Sequence, residues 1–218
     1  MSRNQKFSRE QLQAAALALV EKEGLEGLSM RNLALALGTG AMTIYNYVAD
    51  RAELEGLLVE AVMQEVRWSG KPSKDWRADV KEITHAMWAA ARKHPQIIPL
   101  VVTRRSSAAA FLGPTEALLD ALKRGGLKDQ NLLIAFRTVS GFVTGIAQAE
   151  LTGPLAASAQ EDAKDVIARF ESLPREKYPR LLEIAKAAGK SKPEKEFTTG
   201  LNIIITGLEK EFGLESRD

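Results

Sequence analysis

The chain has 218 residues and a formal net charge of +2, and none of its residues is cysteine. The absence of cysteine excludes disulfides, thiol catalysis and cysteine-ligated zinc or iron–sulfur sites. A hydrophobic content of 45% with only 6% aromatic residues, together with few strand signals, predicts an all-α protein rich in Ala and Leu. The small net charge does not by itself indicate a nucleic-acid partner.

The sequence also predicts where in the cell the protein is located. The first residues, MSRNQKFSREQ, contain no apolar core of the kind that a secretory signal needs. Charged side chains interrupt every apolar run, so we expect no membrane-spanning segment. A soluble cytoplasmic protein is the expectation that follows.

The first predicted helix begins after Ser8. Ser8 and Gln11 form an S-x-x-Q capping box, in which the two side chains satisfy free backbone N–H groups at a helix start. Gly24 is predicted to end this helix. The apolar side chains recur at helical period. They are Leu12, Ala15, Ala16, Leu19 and Val20.

The arm before this helix is basic. Residues 1–51 carry six basic and five acidic side chains, so affinity for DNA would have to come from the placement of charge. The arm up to Arg9 contains no acidic residue. It suits a DNA contact and, equally, a solvated and disordered start to the chain.

Two short helices around a tight turn are predicted next, over residues 29–37 and about 41–48. Ser29 is a suitable N-cap for the first, and Gly38 ends it because glycine accepts the left-handed conformation of a C-terminal cap. Ala34, Gly38 and Ile44 follow one another at offsets of four and six residues. This spacing is typical of a helix-turn-helix. It also suits two core helices joined by an ordinary glycine turn, and spacing alone does not decide between them.

The outward side of the second of these helices is polar and aromatic but almost uncharged. Such a surface suits the edges of bases in a DNA groove better than bulk solvent. Arg31 and Arg51 flank it and are predicted to contact phosphates. The predicted DNA-binding residues are Arg31, Ala41, Met42, Thr43, Tyr45, Asn46, Tyr47 and Arg51.

The rest of the chain is predicted to be helical too. Asp50 and Glu53 repeat the capping-box pattern, which predicts a fourth helix that connects the DNA-binding part to the remainder. Pro95 ends a helix over residues 75–92, since proline cannot continue one. Gly113–Pro114 is a predicted break. Further predicted segments are helices over 96–103, 115–124, 131–151 and 196–212, a mobile loop over 153–165, and a helix over 166–188 broken near Pro174 and Pro179.

Residues 7–61 resemble the DNA-binding domain of the TetR family of bacterial transcription regulators. The matching segments follow in order as AAALALVEKEGLEGLSM, RNLALALG and MTIYNYVADRAEL. The Leu-Gly turn and the Thr-x-Tyr of the second short helix are the marks of the resemblance. Asn46 and Tyr47 depart from the residues that many members carry there, so the resemblance implies no particular operator sequence.

The second part of the chain is similar to the tetracycline-repressor-like C-terminal domain of that family. Its motifs are looser: RKHPQIIPLV, a GP followed by a helix and GL, GFVTGIAQAEL and FTTGLNIIITGLEKEFG. The resemblance implies a helix-turn-helix DNA-binding domain of three helices over residues 1–50, a connecting helix over 51–68, and a larger ligand-binding and dimerisation domain over 69–218. It also implies a homodimeric repressor that a small effector releases from double-stranded operator DNA.

The dimer would form through a four-helix interface of residues 131–151 and 196–212. Both segments carry apolar stripes, although such a stripe alone is more typical of an intramolecular core. A two-fold dimer has a physical advantage, because two short helices contact two half-sites together.

The effector cavity implied by the resemblance is harder to locate. Pockets are mostly apolar with a few polar anchors, so composition does not separate pocket from core. His85, Arg105 and Gln148 are the candidate polar anchors. All candidate ligand-binding residues are Met63, Trp68, His85, Trp88, Val102, Arg105, Phe111, Leu118, Phe136, Val139, Phe142 and Gln148.

The chain has only two histidines, His85 and His94. Neither stands where the resemblance would place the histidine that binds magnesium-linked tetracycline. We therefore expect an organic, largely apolar effector, with no metal and no cofactor.

Two other classes of function stay open. An all-α enzyme finds little support, because the chain has no HExxH, no GxSxG and no phosphate-binding loop. A DNA-binding regulator without a ligand would lack an enclosed cavity in its second domain, and its DNA binding would not respond to an effector.

Overall fold

The computed structural model describes residues 6–103, 109–156 and 161–214, and within these ranges every regular element is a helix. The all-α prediction is therefore confirmed. The helices are α1 (Arg9–Gly27), α2 (Met30–Ala36), α3 (Ala41–Ile44), α4 (Arg51–Gln64), α5 (Trp76–Lys93), α6 (Ile98–Thr103), α7 (Leu112–Arg124), α8 (Asp129–Thr152), α9 (Ala163–Glu171), α10 (Pro179–Ala188) and α11 (Pro193–Phe212), with short 3₁₀ turns at Pro95–Ile97 and Ala109–Phe111.

The chain packs into two compact units. The first consists of Met1–Lys71 and Ala86–Leu118, and the second of Pro72–His85 and Leu119–Asp218. Helices α5 and α7 each contribute residues to both units. This grouping describes packing only, and the functional division at residues 50 and 68 stays a prediction.

The first unit is built on α1, α2 and α4. The predicted capping box starts α1: Ser8 Oγ accepts a hydrogen bond from Gln11 N–H at 3.2 Å, and Gln11 Oε1 accepts one from Ser8 N–H at 2.8 Å. Gly24 interrupts α1 at a φ of +74°, close to the predicted end. The core side chains shield one another from water. They include Leu12, Ala16, Val20, Leu33, Ile44, Leu54, Leu57 and Leu58.

His94 joins three elements of this unit. Its Nδ1 lies 3.1 Å from Glu21 Oε1 on α1, and its Nε2 lies 2.9 Å from Glu65 Oε1 at the end of α4. Lys93 Nζ donates to the other oxygen of Glu65 at 3.1 Å. Burial opposes ionisation of Glu65, but the hydrogen bonds from His94 and Lys93 outweigh it and lower the pKa of this carboxyl. The network ties the start of the 3₁₀ turn at Pro95 to α1 and α4.

The second unit contains α8 packed against α11, and α9 packed against α10. Asp79 is buried in this unit and pairs with Arg124. Its two carboxylate oxygens accept hydrogen bonds from Ser73 N–H at 3.1 and 3.0 Å. This pair fastens the start of α5 to the end of α7.

Two of the boundaries predicted after α6 are wrong. Gly113–Pro114 is not a break, because both residues lie in the first turn of α7. Proline is tolerated there since the N–H groups of a first turn have no partner within the helix. The loop predicted over 153–165 also ends earlier than expected, because Asp162 caps α9 through hydrogen bonds from Lys164 and Asp165 N–H. Residues 157–160 of the predicted loop lie outside the described residues.

Helix α8 corrects a further expectation. Over Asp129–Leu151 it is long and apolar enough, by length and composition, to cross a membrane, although most residues of this segment are not buried in the single chain. Asp129 at its start and Arg137 and Glu150 further along do not lower the mean hydropathy of the segment enough to exclude it. Length and composition of a single helix are weak grounds for a membrane role, since long core helices of soluble proteins pass the same test. Helix α8 therefore exposes apolar side chains in the single chain.

Candidate nucleic-acid interface

The turn between α2 and α3 is set by Gly38. Its φ is +60°, a left-handed conformation that costs a residue with a Cβ. Gly38 N–H donates to Leu35 O at 3.1 Å, and Thr39 N–H donates to Ala34 O at 2.9 Å. These two bonds form a Schellman motif, which satisfies the last carbonyl groups of α2 and turns the chain toward α3.

Helix α3 is shorter than predicted. Regular helix ends at Ile44 rather than near Val48, because Asn46 N–H and Tyr47 N–H bond to carbonyls three residues back, at Thr43 and Ile44. Such i→i−3 bonds tighten the last turn of a helix. Ile44 and Val48, at 0% and 1% exposure, face inward as predicted.

The predicted base-contacting residues fall into two groups. Met42 and Tyr45 are 77% and 50% exposed, and Asn46 is exposed beside them. Residues three and four positions apart share one side of a helical turn, so these three side chains form one outward surface. We call it the reader surface: Met42, Tyr45 and Asn46.

Ala41, Thr43 and Tyr47 are only partly exposed. Thr39 Oγ1 donates to Thr43 Oγ1 at 3.1 Å, which braces the turn from within. Tyr47 packs against the core of the first unit, and its hydroxyl accepts a hydrogen bond from the N–H of Phe7 at 2.8 Å. The structure therefore separates these residues from the outward surface on which the sequence grouped them.

Arg51 is anchored by intramolecular hydrogen bonds, although its side chain is 55% exposed. Its Nε donates to Glu55 Oε1 at 2.9 Å, and its two terminal nitrogens donate to Leu28 O and Leu25 O at 3.0 Å each. These contacts cap the end of α1 with a cation, where the carbonyl groups carry partial negative charge. They leave two of the five guanidinium donors for a phosphate, so the phosphate contact of Arg51 stays a prediction. Arg31 is exposed too, but within the described residues its side chain makes no hydrogen bond or ion pair.

The charge distribution around the reader surface is unusual. From Asn32 to Ala49 the chain has no charged side chain. Arg9, at the base of the N-terminal arm, donates through Nε to Glu60 Oε2 at 3.0 Å, and this bond raises the pKa of Arg9. The surface that would meet bases therefore depends on shape, apolar contact and neutral hydrogen bonds.

The candidate ligand-binding residues are distributed over both units. In the first unit Met63, Trp88, Phe111 and Leu118 are buried, while Trp68 is partly exposed and Val102 is exposed. In the second unit Val139 is buried, Phe136 and Gln148 are partly exposed, and the rings of His85 and Phe142 lie 5.9 and 5.6 Å from that of Phe197. Arg105 lies outside the described residues.

His85 does not stand as an isolated polar anchor. Its Nε2 lies 2.9 Å from Glu194 Oε2, and its side chain is 48% exposed. Glu82 and His85 form one Glu-x-x-His sequence on α5, whereas a di-iron helical bundle uses two such sequences with two further glutamates. Over the described ranges, no group of three or more His, Asp or Glu side chains could hold a metal ion.

The comparisons with known proteins agree with this architecture. The family model described as "Tetracyclin repressor-like, C-terminal domain" matches residues 69–212. The chain is 33% identical over 141 residues to the HTH-type transcriptional repressor DrrR1 of Streptomyces coeruleorubidus, covering 63% of this chain and 51% of that protein. The match thus spans about half the length of DrrR1.

Longer matches extend over nearly the whole chain. The tetracycline repressor protein class C of Escherichia coli is 27% identical over 94% of this chain and 92% of its own length. The crystal structure of ActR from Streptomyces coelicolor in complex with actinorhodin superposes with a TM-score of 0.75 at 27% identity, over 94% of this chain and 98% of that one. With the helix-turn-helix geometry in its first unit, the chain belongs to the TetR family of transcription regulators and carries a tetracycline-repressor-like C-terminal domain.

Proposed function

We propose that this protein is a homodimeric repressor that binds double-stranded operator DNA and releases it when a small, largely apolar organic ligand binds. Residues 1–50 contact DNA, residues 51–68, which contain α4, form the connection, and residues 69–218 bind the ligand and dimerise. Bound repressor blocks a promoter sterically. The ligand favours a dimer conformation whose two DNA-binding parts no longer match two half-sites.

The observation that carries the proposal is the geometry around Gly38. The Schellman motif ends α2 and orients α3 so that Ile44 is buried while the reader surface faces outward. A second helix held at its base and exposed along its outer side is the arrangement that a helix-turn-helix needs in a major groove. Its relatives DrrR1 and the tetracycline repressors, named as repressors, support the same function.

The dimer is supported by apolar surface on the two long helices. Leu133 and Ile134 on α8 are 37% and 42% exposed, and Ile203 on α11 is 68% exposed. Exposed apolar side chains at such positions are stabilised when a partner removes them from water. A two-fold dimer would then present two reader surfaces to half-sites about one helical turn of DNA apart, roughly 34 Å.

The ligand class is inferred from the side chains available. The candidate residues are mainly aromatic and aliphatic, and the ActR structure with actinorhodin supports ligand binding in this domain family. His85 pairs with Glu194 rather than standing free, which argues against magnesium-linked tetracycline as the effector. A thermal-shift screen in which only magnesium-tetracycline stabilises the protein would overturn this part of the proposal.

DNA binding is tested with the purified full chain. Duplexes selected from a random-sequence library, and a scrambled competitor of equal length, are titrated at physiological and raised salt with fluorescence anisotropy. We expect a two-fold symmetric consensus and affinity that falls steeply with salt, because phosphate contacts release counterions. Equal binding to the selected and scrambled duplexes would exclude a sequence-specific repressor.

Two other functions make different predictions in the same assay. A regulator without a ligand would hold its selected duplex in the presence of every compound that stabilises the protein. An all-α enzyme would show no selection of DNA sequence. We infer that the protein acts in the cytoplasm as a regulator rather than as an enzyme, because its family consists of transcription regulators.

A further inference from the structure

Met42 is an exposed apolar side chain of the reader surface. At 77% exposure it is the most exposed of the large apolar residues in the described ranges. It is the second residue of α3 and lies on the same side as Tyr45. Exposed apolar area of this size is unfavourable in water, so a partner that covers Met42 would gain stability from it.

The chemistry of Met42 restricts what that partner offers. A methionine side chain has no hydrogen-bond donor, and its thioether sulfur is only a weak acceptor. Within the major groove, base pairs present hydrogen-bonding groups and a single apolar one, the C5-methyl group of thymine. A methionine placed against any other base edge would remove water from a polar group without replacing its hydrogen bond.

The residues around Met42 offer bases no charged contact. No charged side chain lies between Asn32 and Ala49, so this surface cannot use the Arg or Lys contact to guanine that is commonest in specific recognition. Tyr45 is three residues along and 50% exposed, and it adds a second large side chain on the same side. This helix therefore offers bases apolar contact and neutral hydrogen bonds.

We propose that Met42 determines specificity by packing against the C5-methyl group of a thymine in each operator half-site, with Tyr45 extending the apolar contact. The inference rests on the proposed DNA-binding function and adds the base feature that is recognised. It predicts a thymine at the position under Met42 in each half of the selected site.

Uracil tests this directly, because it differs from thymine only by the absent methyl group. The probe is the duplex that the wild-type protein selects from a random library, prepared with thymine or with uracil at each thymine position in turn. At the Met42 position we expect affinity to fall about fourfold for each methyl removed, from the ~0.8 kcal/mol that burial of one such group contributes. Replacement at positions outside the half-sites should have no effect.

Two variants assign the effect to Met42. Met42→Ala should bind thymine and uracil duplexes equally at that position, while Met42→Leu should keep most of the discrimination because it keeps an apolar side chain of similar volume. Leu112→Ala is the matched control, since Leu112 is 69% exposed but lies outside the helix-turn-helix. It should discriminate as the wild type does.

The outcomes separate the two levels of the proposal. If the wild type selects a specific site but is insensitive to uracil everywhere, or if Met42→Ala keeps the wild-type discrimination, Met42 does not recognise a thymine methyl and the repressor proposal stands. If no sequence is selected at all, the proposed DNA-binding function itself fails.

Discussion

The hydroxyl of Tyr47 accepts a hydrogen bond from the backbone N–H of Phe7, across forty residues of sequence. The two rings lie 6.4 Å apart at an angle of 54°. The contact fixes the point at which the N-terminal arm leaves α1 beside the helix-turn-helix. Tyr47 thus has a structural role at the edge of the interface, whereas the sequence pattern grouped it with the base contacts.

Tyr47→Phe should lower the free energy of unfolding by about 1 kcal/mol, because it removes one hydrogen bond in a partly buried setting. The ring and its packing remain, so the preferred DNA sequence should not change. Denaturant unfolding measures the stability, and selection from a random library measures the sequence preference. A changed consensus would show that the Tyr47 hydroxyl contacts bases after all.

Asn46→Ala should change the sequence preference at one position of each half-site. An exposed Asn on this surface suits bidentate hydrogen bonds to adenine, worth roughly 1–3 kcal/mol of discrimination. Binding to scrambled DNA should stay close to the wild-type value. Unchanged affinity and consensus would mean that the reader surface does not face the bases.

Arg51→Ala should destabilise the fold by about 1–3 kcal/mol, because Leu25 O, Leu28 O and Glu55 each lose a hydrogen bond from a charged donor. The dependence of DNA affinity on salt should be nearly unchanged, since the side chain is committed to intramolecular contacts. Urea unfolding and a salt titration of DNA binding measure the two effects.

Arg31→Ala is the control variant for Arg51→Ala. Within the described residues the exposed side chain of Arg31 makes no hydrogen bond or ion pair. Its loss should therefore leave stability unchanged and reduce the slope of log affinity against log salt by about 0.9, the value for one phosphate contact. The opposite pattern, with Arg51 altering the slope and Arg31 not, would restore the sequence-based assignment of Arg51 to a phosphate.

Asp79 should contribute to a loss of stability in acid. Burial opposes its ionisation, but hydrogen bonds from Ser73 and Arg124 outweigh this and hold the pKa of the folded state below the ordinary 3.8. A group with a depressed folded pKa stabilises the protein above the unfolded pKa, and this contribution disappears as pH falls through the folded value. Asp79→Asn should therefore lower the free energy of unfolding by about 3 kcal/mol near neutral pH. In the variant this free energy should also fall less steeply as the pH decreases.

Urea titrations of the wild type and the variant, from neutral pH down to about pH 3, measure the free energy of unfolding at each pH. They test whether ionisation of Asp79 contributes to its dependence on pH. Parallel curves for the wild type and Asp79→Asn would show that Asp79 does not supply it. Glu65 shares the direction of its shift and accounts for some of the dependence that remains in the variant.

Gly125→Ala should destabilise the second unit by about 1–3 kcal/mol, the usual cost of overpacking. A methyl group there would lie 2.7 Å from Cδ2 of Trp76 and 3.1 Å from the carbonyl oxygen of Leu122. Trp76 is buried, so its ring has little room to move. The thermal unfolding midpoint should fall.

Gly56→Ala is the matched control. Gly56 lies within α4, and a methyl group there meets nothing within 4 Å. Alanine should raise the free energy of unfolding by roughly 0.5–1 kcal/mol through helix propensity. Stabilisation by both substitutions would show that the packing around Trp76 is looser than its geometry indicates.

Local rules in the sequence predicted the local features correctly. The box of Ser8 and Gln11, the cap at Asp50 and the turn at Gly38 each depend on residues at most a few positions apart. Such features follow from hydrogen bonds between neighbouring residues, in which side chains or carbonyls satisfy nearby backbone groups. This is why the helix-turn-helix could be located before its packing was known.

The functions of individual side chains were less predictable, for a physical reason. Arg51 bonds to carbonyls 23 and 26 residues away, and Tyr47 to an N–H 40 residues away. No periodic pattern records such partners, because they are brought together only by the packing of α1 against α2 and α4. The exposure of Met42 likewise becomes visible only when Ile44 and Val48 are seen to be buried.

The uncharged stretch from Asn32 to Ala49 has a consequence for how the protein would discriminate among sites as conditions vary. Long-range attraction to DNA depends on ionic strength, whereas van der Waals contact and neutral hydrogen bonds do not. If the reader surface contacts bases as proposed, the strength of attachment to DNA and the choice of target sequence depend on different side chains. A cell under osmotic stress would change how much of the operator is occupied while leaving the ranking of competing sites intact, and substitutions at the reader surface can redirect the protein without altering its hold on DNA in general.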